Sequence, residues 1–367
     1  MANDQAWRRH ALELIRADLH RSADTHMIRL VVPQLPGVTI YLKDETTHPS
    51  GSLKHRLARS LFLYGLANGW IREGRQLIEA SSGSTAISEA YFARLIGSPF
   101  AAVLPADTAK RKVEAIEAQG GRVYRVDSAR EVVPHCIELA RTCGGLFLDQ
   151  FTFAERAVDW RGNNNIAESM FEQMALEPHP IPSWIVVGAG TGGTSATVGR
   201  YIRYQPHLVE AVKLCVVDPA GSAFFPAFES NDMTRTGQAS PVVEGIGRPR
   251  VEGSFMPDVI DRMMAVPDAA SVAGCRWLER VLGRRCGPST GTNIVGALSL
   301  AVEMIARGEQ GSIVTLICDS GERYADTIYD AAWLDTKGVD ITPWMQRFQT
   351  LTDIGQWSSD GLAQAYR

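Results

Sequence analysis

The chain has 367 residues, 45% hydrophobic and 21% charged, which suits a globular protein of about two domains. Lys plus Arg number 37 against 41 for Asp plus Glu, a net charge of −4, so no overall basic field exists to hold nucleic acid or an anionic membrane surface. This composition excludes collagen-like, disordered and disulfide-scaffold classes. In chain order, the N-terminus MANDQAWRRH lacks the apolar run of a secretory signal. Residues 4–20 place Trp7, Leu12, Ile15 and Leu19 on one helical face. Val38–Lys43 reads as a strand, 53–69 as a helix, and Gln76–Glu79 as a strand leading into a Ser/Gly turn and a further helix. Phe100–Leu104 and Arg122–Val126 read as strands around a helix at 107–119, with Val113 and Ile116 inward. Trp184–Val187, Lys213–Asp218 and Ile313–Cys318 are apolar strands, the first followed by a glycine turn and a helix at 195–205. Residues 219–260 read as a long irregular segment. The alternation predicts an α/β protein with parallel sheets.

No stretch is apolar enough to span a membrane. Six cysteines, at 136, 143, 215, 275, 286 and 318, form no C-x-x-C pair, and no histidine sits at a zinc-ligand spacing. They read as reduced thiols of a cytoplasmic protein, several of them in its core, with no metal site.

Five short segments could carry chemistry. Ile185–Gly193, IVVGAGTGG, runs from strand through glycine turn to helix. Backbone N–H groups in such a turn and the helix N-terminus favour an anion such as phosphate. Gly188, Gly190 and Gly193 also satisfy G-x-G-x-x-G, and Asp218 ends the next strand, so a dinucleotide, and an NAD-dependent oxidoreductase, is an open alternative at this point. Pro49–Arg56, PSGSLKHR, sets Lys54 beside His55 and Arg56; neighbouring positive charge would leave more of the amine neutral and nucleophilic. Ser81–Thr85, SSGST, offers hydroxyls and amides for a carboxylate, or a plain helix cap. The others are Gly287–Asn293, GPSTGTN, and Asp319–Tyr324, DSGERY. Asn163–Asn165 reads as a turn or helix start.

Taken in order, these segments resemble the cysteine synthase / cystathionine β-synthase family of pyridoxal-phosphate enzymes. SLKHR stands for its lysine stretch, SSGST for its T-S-G-N-T loop, Gly190–Thr194 for its G-T-G-G-T phosphate cup, and GPSTG and DSGERY for its two later motifs. The likeness spans roughly 30–330, and the intact GTGGT favours a phosphate monoester over a dinucleotide. Within the family the chain is most similar to the L-cysteine desulfhydrase branch, through stretches near 41–62, 79–93, 159–169, 184–197 and 244–252.

The resemblance implies fold type II, tryptophan synthase β-like: two open, twisted, mostly parallel-sheet α/β domains with pyridoxal 5′-phosphate between them. It implies an N-terminal helix at 1–25 on the large domain, a smaller mobile domain at 26–157, the large domain at 158–340 and a C-terminal tail at 341–367. It implies Lys54 as Schiff-base lysine and general base for the Cα proton. Ser84, Gly190, Thr191, Gly192, Gly193, Thr194 and Ser289 would bind the cofactor. Ser81, Ser82, Gly83, Thr85 and Gln150 would hold the substrate carboxylate, and Gly245 would form the opposite wall. Ser84 replaces the family's asparagine, Ala86 its glycine and His55 the aspartate after the lysine. Ser289, facing the pyridine nitrogen, would weaken the electron sink and leave β-elimination feasible. The implied activity is conversion of L-cysteine to sulfide, pyruvate and ammonia by a homodimer. The family alternative is cysteine synthesis from O-acetylserine and sulfide.

Overall fold

The computed structural model describes residues 2–21, 23–238, 240 and 242–366. Its strands are β1 (His26–Leu30), β2 (Val38–Asp44), β3 (Leu77–Ala80), β4 (Phe100–Pro105), β5 (Arg122–Val126), β6 (Leu146–Phe147), β7 (Trp184–Gly188), β8 (Lys213–Pro219), β9 (Arg262–Val266), β10 (Gly311–Ile317) and β11 (Ala363–Tyr366). The chain divides into two compact units, one of 1–24 with 48–158, the other of 25–47 with 159–367.

The first unit carries a parallel four-stranded sheet in the order β5-β4-β3-β6. β3 and β4 are almost wholly buried, as expected of parallel strands covered by helices on both faces. One face packs on the helices Lys54–Ala67 and Ser84–Leu95 through Phe62, Leu66, Phe92 and Ala93. The other packs on Val132–Cys143 through Val132 and Cys136. The predicted inward residues of Lys110–Ala118, Val113 and Ile116, are buried.

The second unit carries a seven-stranded sheet, β1-β2-β10-β7-β8-β9-β11, parallel except for β1 on β2 and β11 on β9. The helices Asp268–Leu282 and Pro288–Ala306 supply much of its core, with Ile294, Val295, Leu298 and Ala301 fully buried. Small residues let that helix approach: a Cβ on Gly296 would fall 2.5 Å from Val217 Cγ1.

Three boundary expectations change. The N-terminal helix, Ala2–Leu19, belongs to the first unit: Ala11 and Ile15 lie in its core with Phe62 and Ala86. Residues 26–47, expected in the small domain, form β1 and β2 of the large sheet. The reason is pairing: β2 aligns with β10 from Val38↔Gly311 to Asp44↔Ile317. The tail forms the helix Thr342–Ile354 and edge strand β11, and Trp344, Phe348 and Leu351 join the large core. In the irregular stretch 219–260, Phe224–Ser230 is helical and Pro257–Val259 makes one 3₁₀ turn.

Candidate active site

In the first unit the turn before Lys54 is fixed by side chains. Gly51 takes φ 75, a left-handed value suited to glycine. Lys54 then opens the helix Lys54–Ala67 and is half-buried. The Ser50 hydroxyl meets His55 Nδ1 at 3.0 Å and Ser88 Oγ at 2.8 Å, and Ser88 donates to the Ser84 carbonyl at 2.8 Å. This chain of bonds ties the start of the Lys54 helix to the Ser81–Thr85 loop. His55 is also packed on His48 and Phe92, with ring centroids 4.8 and 4.7 Å away. His55 therefore anchors the lysine turn.

The cationic setting expected around Lys54 is not what forms. Arg56 is buried and donates to Asp24 Oδ1 at 2.7 Å, and His55 Nε2 lies 3.9 Å from Asp18 Oδ2. Successive helical positions point in different directions, so neighbours in sequence do not share an environment.

The Ser81–Thr85 loop turns from β3 into the helix Ser84–Leu95. Gly83 N donates to Ser81 Oγ at 3.2 Å, and a Cβ at Gly83 would meet nothing within 4 Å. Ser81, Ser82, Gly83 and Ser84 are half-buried and Thr85 is buried. Thr85 Oγ1 donates to Gln150 Oε1 at 2.8 Å. Two residues 65 apart in sequence, both expected at a carboxylate site, are thus brought together.

In the second unit Gly190–Thr194 joins β7 to the helix Gly193–Tyr204. A Cβ on Gly190 would fall 2.2 Å from the Gly245 carbonyl, and one on Gly192, at φ 88, would fall 2.6 Å from Phe255 Cα. Only glycine permits these backbone approaches. Gly245, at φ 86, therefore lies against the glycine turn, and Gly247 N donates to the Ala189 carbonyl at 2.8 Å. Thr191 is buried and its Oγ1 accepts from Gly193 N at 3.2 Å.

Ser289 is buried in the first turn of Pro288–Ala306. One turn on, Asn293 Oδ1 would be 3.5 Å from a Cβ on Gly188, so the Ser289 helix runs beside the glycine turn. Asn293 Nδ2 donates to the Leu316 carbonyl at 3.3 Å, which places the same helix against β10. GPSTGTN and DSGERY also meet. Gly287 N donates to the Asp319 carbonyl at 3.0 Å, Cys318 N donates to Thr290 Oγ1 at 3.0 Å, and Tyr324 Oη donates to Asp319 Oδ2 at 2.7 Å. Burial and Asp319 push the Tyr324 phenol well above its ordinary range.

Asp218, the acid of the dinucleotide alternative, is fully buried and accepts from Phe225 N at 3.0 Å. Burial pushes its carboxyl up to about 7. It holds the start of a helix and offers nothing to a ribose. Asn165 caps Ile166–Met174, accepting from Ala167 N and Glu168 N at 2.9 and 3.1 Å, as the turn reading expects. The residues that sequence reasoning missed are Ser50, Ser88, Glu79 and Glu89. Ser50 lies inside PSGSLKHR, where only Lys54 draws notice, Ser88 gave no periodic or spacing signal, and the acids lie in runs that read only as strand and helix.

The donor set around Gly190–Thr194 fits a phosphate monoester. The first-turn N–H groups of the helix have no helical acceptor, the helix start favours negative charge, and two threonine hydroxyls are at hand. Lys54, at the head of a turn braced by Ser50 and His55, fits an amine that must hold an aldehyde carbon.

Comparison with known proteins agrees. The chain is 58% identical over 340 residues to L-cysteine desulfhydrase Cds1 of Mycobacterium tuberculosis, covering 92% of each. It is 29% identical to cysteine synthase 2 of Schizosaccharomyces pombe over 86% of this chain and 84% of that one. The crystal structure of O-acetyl serine sulfhydrylase isoform 3 from Entamoeba histolytica matches 91% of this chain and 95% of its own with a TM-score of 0.76 at 22% identity, a likeness of fold. The model of the pyridoxal-phosphate dependent enzyme family matches residues 22–319. With its parallel-sheet units, lysine turn and glycine cup, the chain belongs to the pyridoxal-phosphate dependent enzymes of fold type II.

Proposed function

We propose that the protein is an L-cysteine desulfhydrase, converting L-cysteine and water to hydrogen sulfide, pyruvate and ammonia. The observation that carries this reading is the 58% identity to a desulfhydrase over 92% of both chains. Bound pyridoxal phosphate supplies an electron sink that acidifies the Cα–H bond and lets the β-thiol leave.

The protein's own residues have separate tasks. Lys54 Nζ would hold the cofactor's carbonyl carbon and, as a free amine, would take the substrate's Cα proton. Gly190–Thr194 hold the phosphate dianion with backbone N–H groups and the Thr191 and Thr194 hydroxyls. Ser289 would offer the cofactor's ring nitrogen a hydroxyl, which cannot protonate it as a carboxylic acid would. Ser84 stands where the family's asparagine meets the cofactor. Ser81, Ser82, Gly83, Thr85 and Gln150 receive the substrate carboxylate. Gly245 sits on Gly190 and closes the glycine cup from the other side. The substrate is a small amino acid, with no nucleic acid or membrane partner in this reading, and a homodimer in the cytoplasm is the expected form. The free state of all six cysteines suits a reducing compartment. Among the described residues no helix is long and apolar enough to cross a membrane.

The second reading, β-replacement from O-acetylserine and sulfide, is favoured by the likeness to cysteine synthase 2. Incubation with L-cysteine alone separates them. Sustained, equimolar pyruvate and sulfide, absent in Lys54→Ala, is the expected result. A yellow protein that forms no pyruvate yet makes cysteine from O-acetylserine and sulfide would establish the second reading instead.

A further inference from the structure

The first unit encloses two carboxyl groups that the chemistry above leaves unused. Glu79 in β3 and Glu89 in the helix Ser84–Leu95 are both fully buried. Their carboxyl groups lie close enough to act on each other. Two carboxylates are both acceptors, so a bond between them requires a proton on at least one of them. Glu79 already has both oxygens engaged: Oε1 accepts from Ala80 N at 2.8 Å and Oε2 from Gln150 N at 3.2 Å. The Glu89 oxygens meet no N–H or hydroxyl donor among the described residues. Glu89 therefore has the oxygens that no N–H group occupies, and these can carry a proton shared with Glu79.

The surroundings keep the proton in place. Burial lifts both groups above the ordinary carboxylate range, Glu79 to about 8 with a contribution from Asp149. Cys136, packed against β3 from the helix Val132–Cys143, has its thiol pushed up by burial and then by Glu79, Glu89 and Asp149. Among the described residues no cation acts on either carboxyl.

The pair is wired to the loop expected to receive substrate. Gln150 is the first residue of the helix Gln150–Ala157, and Asp149 before it takes a left-handed φ of 52, which costs a non-glycine residue energy. Glu79 holds the Gln150 main chain, and Thr85 holds its side chain through Oε1. Accepting at Oε1 leaves the Gln150 amide nitrogen as the donor, the polarity a carboxylate needs. Thr85 lies one turn before Glu89 on the same helix face. Hydrogen bonds thus run from Glu79 through Gln150 to Thr85, whose helix also carries Glu89.

We propose that Glu79 and Glu89 form a proton-sharing positioning pair, which fixes Gln150 and Thr85 in the geometry that receives the carboxylate of an amino-acid substrate. The proposal rests on the reading of Thr85 and Gln150 as carboxylate-binding residues. Neither acid touches the reacting atoms.

The test is binding of L-alanine to the holoenzyme, followed by the shift in cofactor absorbance. Alanine has a carboxylate but no β-leaving group, so its binding does not depend on which β-substituent departs. In Glu79→Gln one of the two acceptor oxygens becomes an NH2 group, which faces a backbone N–H donor to donor. The dissociation constant for L-alanine and KM for L-cysteine should each rise about tenfold, the effect of one lost hydrogen bond. Cofactor content should not change, and kcat should stay within about twofold. Glu89→Gln keeps a neutral donor and should stay within about twofold of wild type, whereas Glu89→Leu should match Glu79→Gln. If Glu79→Gln fails to fold, the two Glu89 variants make the same comparison. Unchanged alanine binding in Glu79→Gln, or equal damage from Glu89→Gln and Glu89→Leu, would overturn the proposal. A wild type that binds alanine but releases no pyruvate from cysteine would sink the desulfhydrase reading alone.

Discussion

The loops at the heads of the two sheets are built by opposite means. In the first unit, Ser81–Thr85 is held by side chains: Ser50, His55 and Ser88 on one side, Thr85, Gln150 and Glu79 on the other. A Cβ at its glycine, Gly83, would meet nothing within 4 Å. In the second unit, Gly190–Thr194 packs backbone against backbone, with Thr191, Ser195 and Thr197 hydroxyls bonding its main chain, and Cβ atoms at Gly190 and Gly192 would fall 2.2 and 2.6 Å from neighbouring main chain. A phosphate asks for fixed N–H groups, which tight glycine packing provides. A substrate that enters and leaves asks for adjustable side-chain donors, which a hydrogen-bonded network provides.

The largest effect should come from the one residue whose chemistry neither loop can replace. Lys54→Ala should lower the rate of pyruvate formation by at least about a thousandfold, within the range seen on loss of a general base. The yellow lysine-bound absorbance should vanish with it, while the first unit stays folded because Ser50, His55 and Ser88 still brace the turn. Retained yellow absorbance in the variant would remove Lys54 from the site.

Next in size is a methyl group in the glycine cup. Gly192→Ala combines φ 88 with a backbone clash at 2.6 Å, and left-handed strain of this kind costs roughly 1–3 kcal/mol before any clash. Cofactor retention on gel filtration should fall and Tm should drop. A variant that holds its cofactor as well as wild type would show that the cup is looser than its packing implies.

The two loops also sit beside different buried acids, and pH should tell them apart. Asp218 is lifted to about 7 and Glu79 to about 8, both by burial. A raised carboxyl binds its proton more tightly folded than unfolded, so its contribution to stability is complete below the ordinary carboxyl range and is lost as pH rises to the folded value. For Asp218 that loss runs from about 4 to about 7, and for Glu79 from about 4.5 to about 8. Amide exchange of β3 should therefore keep accelerating, beyond its intrinsic rise, between pH 7 and 8.5, where that of β8 has levelled. Glu79→Gln should flatten the β3 trend, and parallel behaviour of both strands would contradict it.

Much of this was legible before any coordinates. Apolar runs bounded by Gly and Ser locate β7, β8 and β10, because a strand buried on both faces must be apolar throughout. The ordered motifs locate the lysine turn and the glycine cup. What was hidden is non-local. β2 reads as a strand, but its membership of the large sheet depends on register with β10, some 270 residues later. The 3.6-residue period identifies the N-terminal helix but not the surface that receives Ile15. Arg56 looks like part of a cationic cluster until Asp24 is seen to take its charge. Glu79 and Glu89 are ten residues apart in unremarkable runs, and only the crossing of β3 with its helix makes them one site.

The smallest effect is the sharpest probe of the contrast between the loops. Gly83→Ala places a methyl group where no protein atom lies within 4 Å, at φ −122, which alanine tolerates. Two small terms oppose each other: alanine is a poorer helix cap than glycine by some tenths of a kcal/mol, and it removes unfolded-chain entropy worth about 0.4–1 kcal/mol. Stability should stay within about half a kcal/mol of wild type. The same methyl would stand in the space assigned to the substrate carboxylate, so KM for L-cysteine should rise severalfold with Tm and cofactor content unchanged. Gly192→Ala should show the reverse pattern, cofactor and stability lost first. If Gly83→Ala instead lowered Tm and left KM alone, the open space beside Gly83 would belong to the protein's own packing, and the carboxylate would have to bind elsewhere on the loop.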